Sequence, residues 1–190
     1  MKTMTQFSKI NIRMIRFATF VMLFGAFLAF TSCNNDDDDD MKPVEKPDDT
    51  KATMAPAFEL KSLTGNTVKL SDFKNKVVVL FFFGNTCPAC KAAAPSIQTM
   101  LQNNFGSNAS FMMLGIDQWD GNMASVESFM KSTGVTFPLL MMGSGTAKAY
   151  STTYDRLVVI DKAGNIMFNG TQGAASDLAA AKAKIEMLLK

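Results

Sequence analysis

Residues 55–190 are predicted to fold as an α/β domain, a central sheet flanked by helices. Three observations predict it. Near-continuous apolar runs at Val77–Phe83, Ser110–Ile116 and Leu157–Ile160 have the length and composition of strands buried on both faces. Stretches with helical periodicity separate them. The first run also passes through Gly84-Asn85-Thr86 straight into a helix start, a strand–turn–helix unit. With 190 residues and 47% hydrophobic content, the chain can bury one ordinary core, so one domain is expected.

The residues ahead of that domain follow another pattern. Lys2, Lys9, Arg13 and Arg16 precede the apolar run Phe17–Phe30, which is short for a bilayer span, and Thr31-Ser32 lead to Cys33. Residues 1–32 resemble a bacterial lipoprotein signal peptide, with Phe30 in place of the usual aliphatic residue. The resemblance implies cleavage before Cys33 and lipidation of Cys33. Residues 33–54 read as an acidic flexible tether. Asp36–Asp40 repel one another, and Pro43, Pro47, Asp48 and Asp49 keep the segment extended. Acidic residues after a lipidated cysteine resemble a surface-export signal, and Asn34 is not the aspartate of inner-membrane retention. The expected location is therefore the bacterial cell envelope, lipid-anchored at the outer membrane, periplasmic or surface-facing. The formal charge of +2 hides the four bases of residues 1–32, without which the chain is net negative. No basic stripe marks a nucleic-acid partner.

Within the domain, Phe58–Leu60 and Thr67–Leu70 are expected as short strands about a Thr64-Gly65-Asn66 turn, with a helical turn from Ser71. The central strand Val77–Phe83 leads into a helix running to about Asn104, which Pro95 should kink because it removes a helical hydrogen bond. Ser110–Ile116 is the next strand and ends at Asp117. Ser125–Ser132 fits an amphipathic helix burying Val126, Phe129 and Met130. A short segment Phe137–Met142 and a helical turn Thr146–Tyr150 follow. Leu157–Ile160 and Ile166–Phe168 make a β-hairpin around residues 161–165. Ser176 is expected to cap a last helix to Lys190, with Leu178, Ile185, Leu188 and Leu189 inside. The doublets Met112-Met113 and Met141-Met142 read as core filling rather than copper ligands.

The chemistry lies in Cys87-Pro88-Ala89-Cys90. A cysteine at a helix start meets unpaired backbone N–H groups and the positive end of the dipole, which favour the nucleophilic thiolate. Pro88 suits the first helical turn, where its missing N–H has no partner. Two intervening residues let Cys90 form a small reversible disulfide with Cys87. A zinc site would need two more nitrogen or sulfur ligands, yet the chain has no histidine and only Cys33 besides. No metal and no cofactor beyond the Cys87–Cys90 disulfide is expected. An inert structural disulfide is the plain alternative.

The run FELKSLTGNTVKLSDFKNKVVVLFFFGNTCPACKAAAP, then FPLL, AKAYSTTYDRLVVIDKAGNI and a last helix, resembles thioredoxin-like envelope proteins. These are the membrane-tethered thiol–disulfide oxidoreductases of the TlpA and ResA type and the related peroxiredoxin-like (AhpC/TSA) domains. The resemblance implies a thioredoxin-like fold with a central mixed β-sheet, Cys87 as exposed nucleophile and Cys90 as the more buried resolving thiol. Expected partners are thiols and disulfides of envelope proteins, including apocytochromes, and an upstream reductant. The molecule is expected to be a monomer. Three positions depart from the family pattern. Thr86 replaces the tryptophan that usually precedes the first cysteine, and Ala93 replaces a glutamate. Asp155, followed by Arg156, stands where relatives place a cis-proline, Pro138 being too far upstream. Asp155 is a candidate proton acceptor in place of that glutamate, with a solvent-facing loop residue as the alternative.

Three functions follow: an oxidoreductase, a thiol peroxidase suggested by FPLL and Arg156, and a non-catalytic thioredoxin-like binding module. The peroxidatic motif wants a threonine where Gly84 stands.

Overall fold

β4 (Val77–Phe83) is the strand about which the sheet is laid out. All seven of its residues are buried. Side chains alternate across a strand, so Val77, Val79, Phe81 and Phe83 face one core while Val78, Leu80 and Phe82 face another. Phe83 stacks on Phe129 with ring centroids 4.3 Å apart. Burying each such phenylalanine contributes about 1.5–3 kcal/mol.

The computed structural model describes residues 53–190. Besides β4, the strands are β1 (Thr53–Met54), β2 (Glu59–Ser62), β3 (Thr67–Lys69), β5 (Phe111–Asp117), β6 (Leu139–Met141), β7 (Arg156–Ile160) and β8 (Asn165–Asn169). They form one mixed sheet in the order β1-β8-β7-β4-β5-β6-β2-β3. The helices are α1 (Pro88–Ile97), α2 (Asn103–Phe105), α3 (Met123–Thr133), α4 (Ser144–Ala149) and α5 (Ala174–Leu188). The core on one sheet face includes Ile97 of α1, Phe129 of α3 and Ile185 of α5. The opposite core takes in Ala147 of α4 and Tyr150.

Register decides where chemistry can sit. β4 runs parallel to β5, from Val77 opposite Phe111 to Phe83 opposite Asp117. On its other side β4 is antiparallel to β7, with Phe82 opposite Arg156. The turn after β4, the loop after β5 and the residues entering β7 therefore share one edge. In α/β sheets, the carboxyl ends of the parallel strands are where sites form.

Several local expectations differ from the fold. Thr53 and Met54, read as tether, pair with Ile166 and Asn165 as an edge strand. Two residues are too short for any periodicity to betray them. The last helix starts at Ala174 with Gly173 as its N-cap, so Ser176 lies within its first turn. Gly173 has φ +109 and no side chain caps the helix start; Asp177 of the first turn instead accepts the Gln172 N–H ahead of the helix at 3.0 Å. Pro95 sits inside α1, and the irregularity that accompanies it is a π turn at Gln98–Gln102 that carries the helix on into α2. Gln98 N–H reaches both the Ala94 and Pro95 carbonyls, while Thr99 Oγ1 donates to the Pro95 carbonyl at 2.9 Å. Of the methionine doublets, Met113 is core, whereas Met142 is exposed with φ +59 where β6 ends.

Candidate active site

The turn after β4 carries the cysteines into α1. Cys87 is the N-cap, in extended conformation, with Pro88 at the first helical position. Its sulfur accepts the Cys90 N–H at 3.1 Å, so a side-chain cap that serine would ordinarily make is made here by sulfur. The Cys87 carbonyl accepts the Lys91 N–H at 3.1 Å, closing the first helical turn. Cys87 and Cys90 are joined as a disulfide, with Cα atoms 5.3 Å apart. Gly84 braces both cysteines. Its carbonyl accepts the Cys87 N–H at 3.0 Å, and its own N–H points at Cys90 Sγ at 3.5 Å. In this oxidised state Cys90 is fully buried and Cys87, expected as the exposed nucleophile, is only 2% exposed because its sulfur is turned inward onto Cys90 and the Cys90 N–H; Thr86, Pro88 and Ala89 between and beside them are exposed.

A buried carboxylate anchors the turn. Asp117, at the end of β5, is fully buried. One carboxylate oxygen accepts the Asn85 N–H at 3.1 Å, the Asn85 amide at 3.2 Å and the Trp119 N–H at 3.3 Å. The other accepts the Asn85 amide at 2.9 Å and the Gly121 N–H at 2.7 Å. A charge out of water is tolerated only with such saturation. The result ties the turn two residues before Cys87 to the loop after β5. Gly121 is required there, because a Cβ would run into the Asn85 amide and Asp117.

The loop after β5 also lays Trp119 on the active-site turn. A Cβ at Gly84 would come within 2.8 Å of three carbons of the indole. Trp119 packs edge-to-face against Tyr154, with centroids 5.1 Å apart and planes at 72°. Tyr154 precedes Asp155 and Arg156 at the start of β7.

The site residues expected from sequence fall as follows. Cys87, Cys90, Thr86 and Pro88 lie together at the start of α1. Asp155 and Arg156 lie at the same sheet edge through the β4–β7 register. Asp155 adopts φ +56, and one of its carboxylate oxygens is buried without a hydrogen-bond partner among the described residues. The Arg156 guanidinium turns back to donate to the Asp155 carbonyl at 2.8 Å. Ala93 is buried in the core beneath α1. Cys33, the expected signal peptide and residues 33–52 of the expected tether lie outside the described residues. Among the described residues no group of three or more His, Cys, Asp or Glu side chains is placed to hold a metal ion. Sequence reasoning missed Asn85, Asp117, Trp119 and Tyr154. The available signals were an aspartate ending an apolar strand and the chain's single tryptophan.

A mixed sheet with a Cys-x-x-Cys disulfide at the first turn of the helix after its central strand defines a thioredoxin-like α/β domain. The chain belongs to the AhpC/TSA family, whose model matches residues 52–169. It is similar to the thioredoxin-like protein YneN of Bacillus subtilis, 27% identical over 114 residues, covering 60% of this chain and 66% of that protein. It is also similar to the thiol-disulfide oxidoreductase ResA of the same organism, 29% identical over 92 residues, covering 48% of this chain and 50% of the other. The chain thus spans about half to two thirds of these curated relatives. Among solved structures, a protein described as a disulfide isomerase from Bacteroides thetaiotaomicron superposes with a TM-score of 0.67. It is 31% identical, and the match covers 73% of this chain and 89% of that one.

Proposed function

We propose that this protein is a thiol–disulfide oxidoreductase acting on protein disulfides of the cell envelope. The observation that carries the reading is the Cys87–Cys90 disulfide at the N-cap of α1, with a backbone N–H aimed at each sulfur. On reduction, the Cys90 N–H and the helix start stabilise the Cys87 thiolate. That thiolate attacks a substrate disulfide: a Cys87–substrate S–S bond forms, the substrate S–S bond breaks, and the released thiolate takes a proton. Cys90, on losing its proton, then attacks the Cys87 sulfur. The second substrate thiolate leaves, the Cys87–Cys90 disulfide returns, and the substrate has gained two electrons. An upstream thiol reductant runs the same exchange in reverse to reset the pair.

Asp155 is the proposed acceptor for the Cys90 proton, with Arg156 setting the loop. Its position at the cysteine edge, its unpartnered oxygen and the buried Ala93 in place of a carboxylate support that role. Asp155→Asn should shift the pH profile of Cys87 alkylation against wild type, since it removes both a carboxylate and a proton acceptor from the cysteine edge while Arg156 stays. An unchanged profile removes Asp155 from the mechanism. The Cys33 anchor and outer-membrane attachment belong to the same proposal. Cys33→Ala should release a soluble form or leave an uncleaved precursor, and undiminished membrane attachment would refute the anchor.

A peroxidase needs a hydroxyl where Gly84 stands, and the Trp119 ring occupies the space any Cβ would take there. This observation favours exchange over peroxide chemistry. The deciding experiment is equilibration of the purified domain with glutathione, followed by insulin reduction. A reversible Cys87–Cys90 couple with turnover supports the oxidoreductase. A disulfide that neither reduces nor exchanges identifies a binding module instead.

A further inference from the structure

We infer that Trp119 and Tyr154 form the substrate-docking platform, selecting extended polypeptides with an aromatic or large aliphatic side chain beside the reacting cysteine. The inference rests on the oxidoreductase reading above and names the substrate class for that site. Trp119 is 42% exposed and Tyr154 41%, and every other large apolar side chain left comparably exposed among the described residues is a methionine. Two aromatic rings in contact, both open to solvent and both at the cysteine edge, stand out among the described residues, whose other aromatics are buried or half-buried.

The placement is specific. The indole lies against Gly84, the residue whose peptide groups bond to both cysteines, so anything resting on it lies against the reacting pair. Its loop is already fixed by Asp117, which takes the Trp119 and Gly121 N–H groups, so docking need not order it. Tyr154 comes from a different element, 35 residues on, and meets the indole edge-to-face. Aromatic anchors held in this way carry a large share of binding at interfaces. With Thr86 exposed ahead of Cys87, the flat contact comes from the loops on either side of the cysteine turn.

A second observation points to a polypeptide rather than a small thiol. Two buried side-chain oxygens lack a hydrogen-bond partner among the described residues: Gln118 Oε1 and Asp155 Oδ1. Each belongs to the residue adjoining one of the two aromatics. Unmatched acceptors of this kind call for donors. A docked backbone that turns the Gln118 side chain outward brings N–H groups at regular spacing, while the apolar side chain beside its cysteine covers the ring pair; the Asp155 oxygen stays with the proton transfer assigned to it above.

The test uses the reduced protein and two short peptides joined to a thionitrobenzoate by a mixed disulfide, one with Phe and one with Ser beside the cysteine. The small disulfide DTNB serves as the third substrate. Wild type should favour the Phe peptide over the Ser peptide by about tenfold in kcat/KM. Trp119→Ala and Tyr154→Ala should each bring that ratio close to one, and Met187→Ala, exposed on α5, should leave it unchanged. Trp119 is the chain's only tryptophan, so its fluorescence in a Cys90→Ser trapped complex should change with the Phe peptide and not with the Ser peptide. Should Trp119→Ala fail to fold, Trp119→Leu and Tyr154→Ala carry the comparison. Equal wild-type rates on the two peptides, or a preference that survives both aromatic substitutions, would overturn the docking inference alone. Failure to exchange with either peptide or with DTNB would overturn the oxidoreductase reading, and this inference with it.

Discussion

Replacing Asp117 with asparagine keeps the shape of the side chain and removes its charge. Each Asp117 oxygen now serves more than one donor, and one half of an amide can only donate. If the amide nitrogen takes the place of the oxygen near Gly121, it faces the Gly121 N–H at 2.7 Å and the Asn85 amide at 2.9 Å. The alternative orientation confronts the Asn85 and Trp119 N–H groups instead. Either way at least one buried N–H loses a charge-assisted acceptor, each worth about 1.5–3 kcal/mol, and donors are left facing donors. The expected loss is about 3 kcal/mol, roughly a 100-fold change in the folding equilibrium. In urea titration of the oxidised domain, the midpoint should fall by about 1–2 M at constant slope. Asn85→Ala should cost less in the Asp117→Asn background than in wild type, since the two side chains share bonds. A midpoint shift below about 0.3 M, or additive losses, would refute the view that this carboxylate holds the cysteine turn.

Other outcomes follow from the same geometry. In the reduced domain at neutral pH, iodoacetamide should label Cys87 ahead of Cys90, because Cys87 occupies the helix start; peptide mapping that finds the label chiefly on Cys90 reverses the roles. Gly84→Thr, which installs the residue a peroxidase would want, should cost about 1–3 kcal/mol through collision with Trp119 and bring no peroxide consumption. A stable variant that consumes peroxide would contradict this. Burial pushes the Tyr150 phenol above its ordinary value of 10.0, and its hydroxyl donates to the Pro56 carbonyl at 2.7 Å. The unfolded chain therefore releases this proton first as pH rises. The contribution of Tyr150 to stability is complete below pH 10 and declines above it. Tyr150→Phe should cost about 1 kcal/mol at neutral pH, and the gap to wild type should close by about pH 11. A gap that stays constant would show that the phenol proton is not involved.

What could be read from the sequence was what is written locally. Val77–Phe83 announces a central strand because a strand buried on both faces has no polar positions, and the cysteine motif announces its chemistry because Pro88 and both thiols lie within one helical turn. The Asn85–Asp117 anchor was not legible, since its members are 32 residues apart and meet only through the β4–β5 register. Trp119 and Tyr154 meet only because β5 and β7 flank β4 on opposite sides. Ser176 looked like a cap by residue type, yet the chain needed a positive φ one turn earlier, which Gly173 supplies. Counting back from Asp161 along β7 leads to Asp155 just ahead of Arg156, because an antiparallel strand keeps its end, and the β4–β7 register puts that end beside the close of β4.

The edge strand β1 has a mechanical consequence. It is joined to the sheet by the pairs Thr53–Ile166 and Met54–Asn165, beside the Ala55 N–H to Gly164 carbonyl bond at 2.8 Å. A load applied to the chain ahead of Thr53 meets this short seam first, well before it reaches β4. Peeling it away would lengthen the reach of the domain by about 7 Å, at roughly 3.3 Å for each extended residue. β8 and β7 still stand between that edge and the cysteine pair. The seam can act as a tear-strip: tension is spent on two outer residues while the redox centre stays assembled.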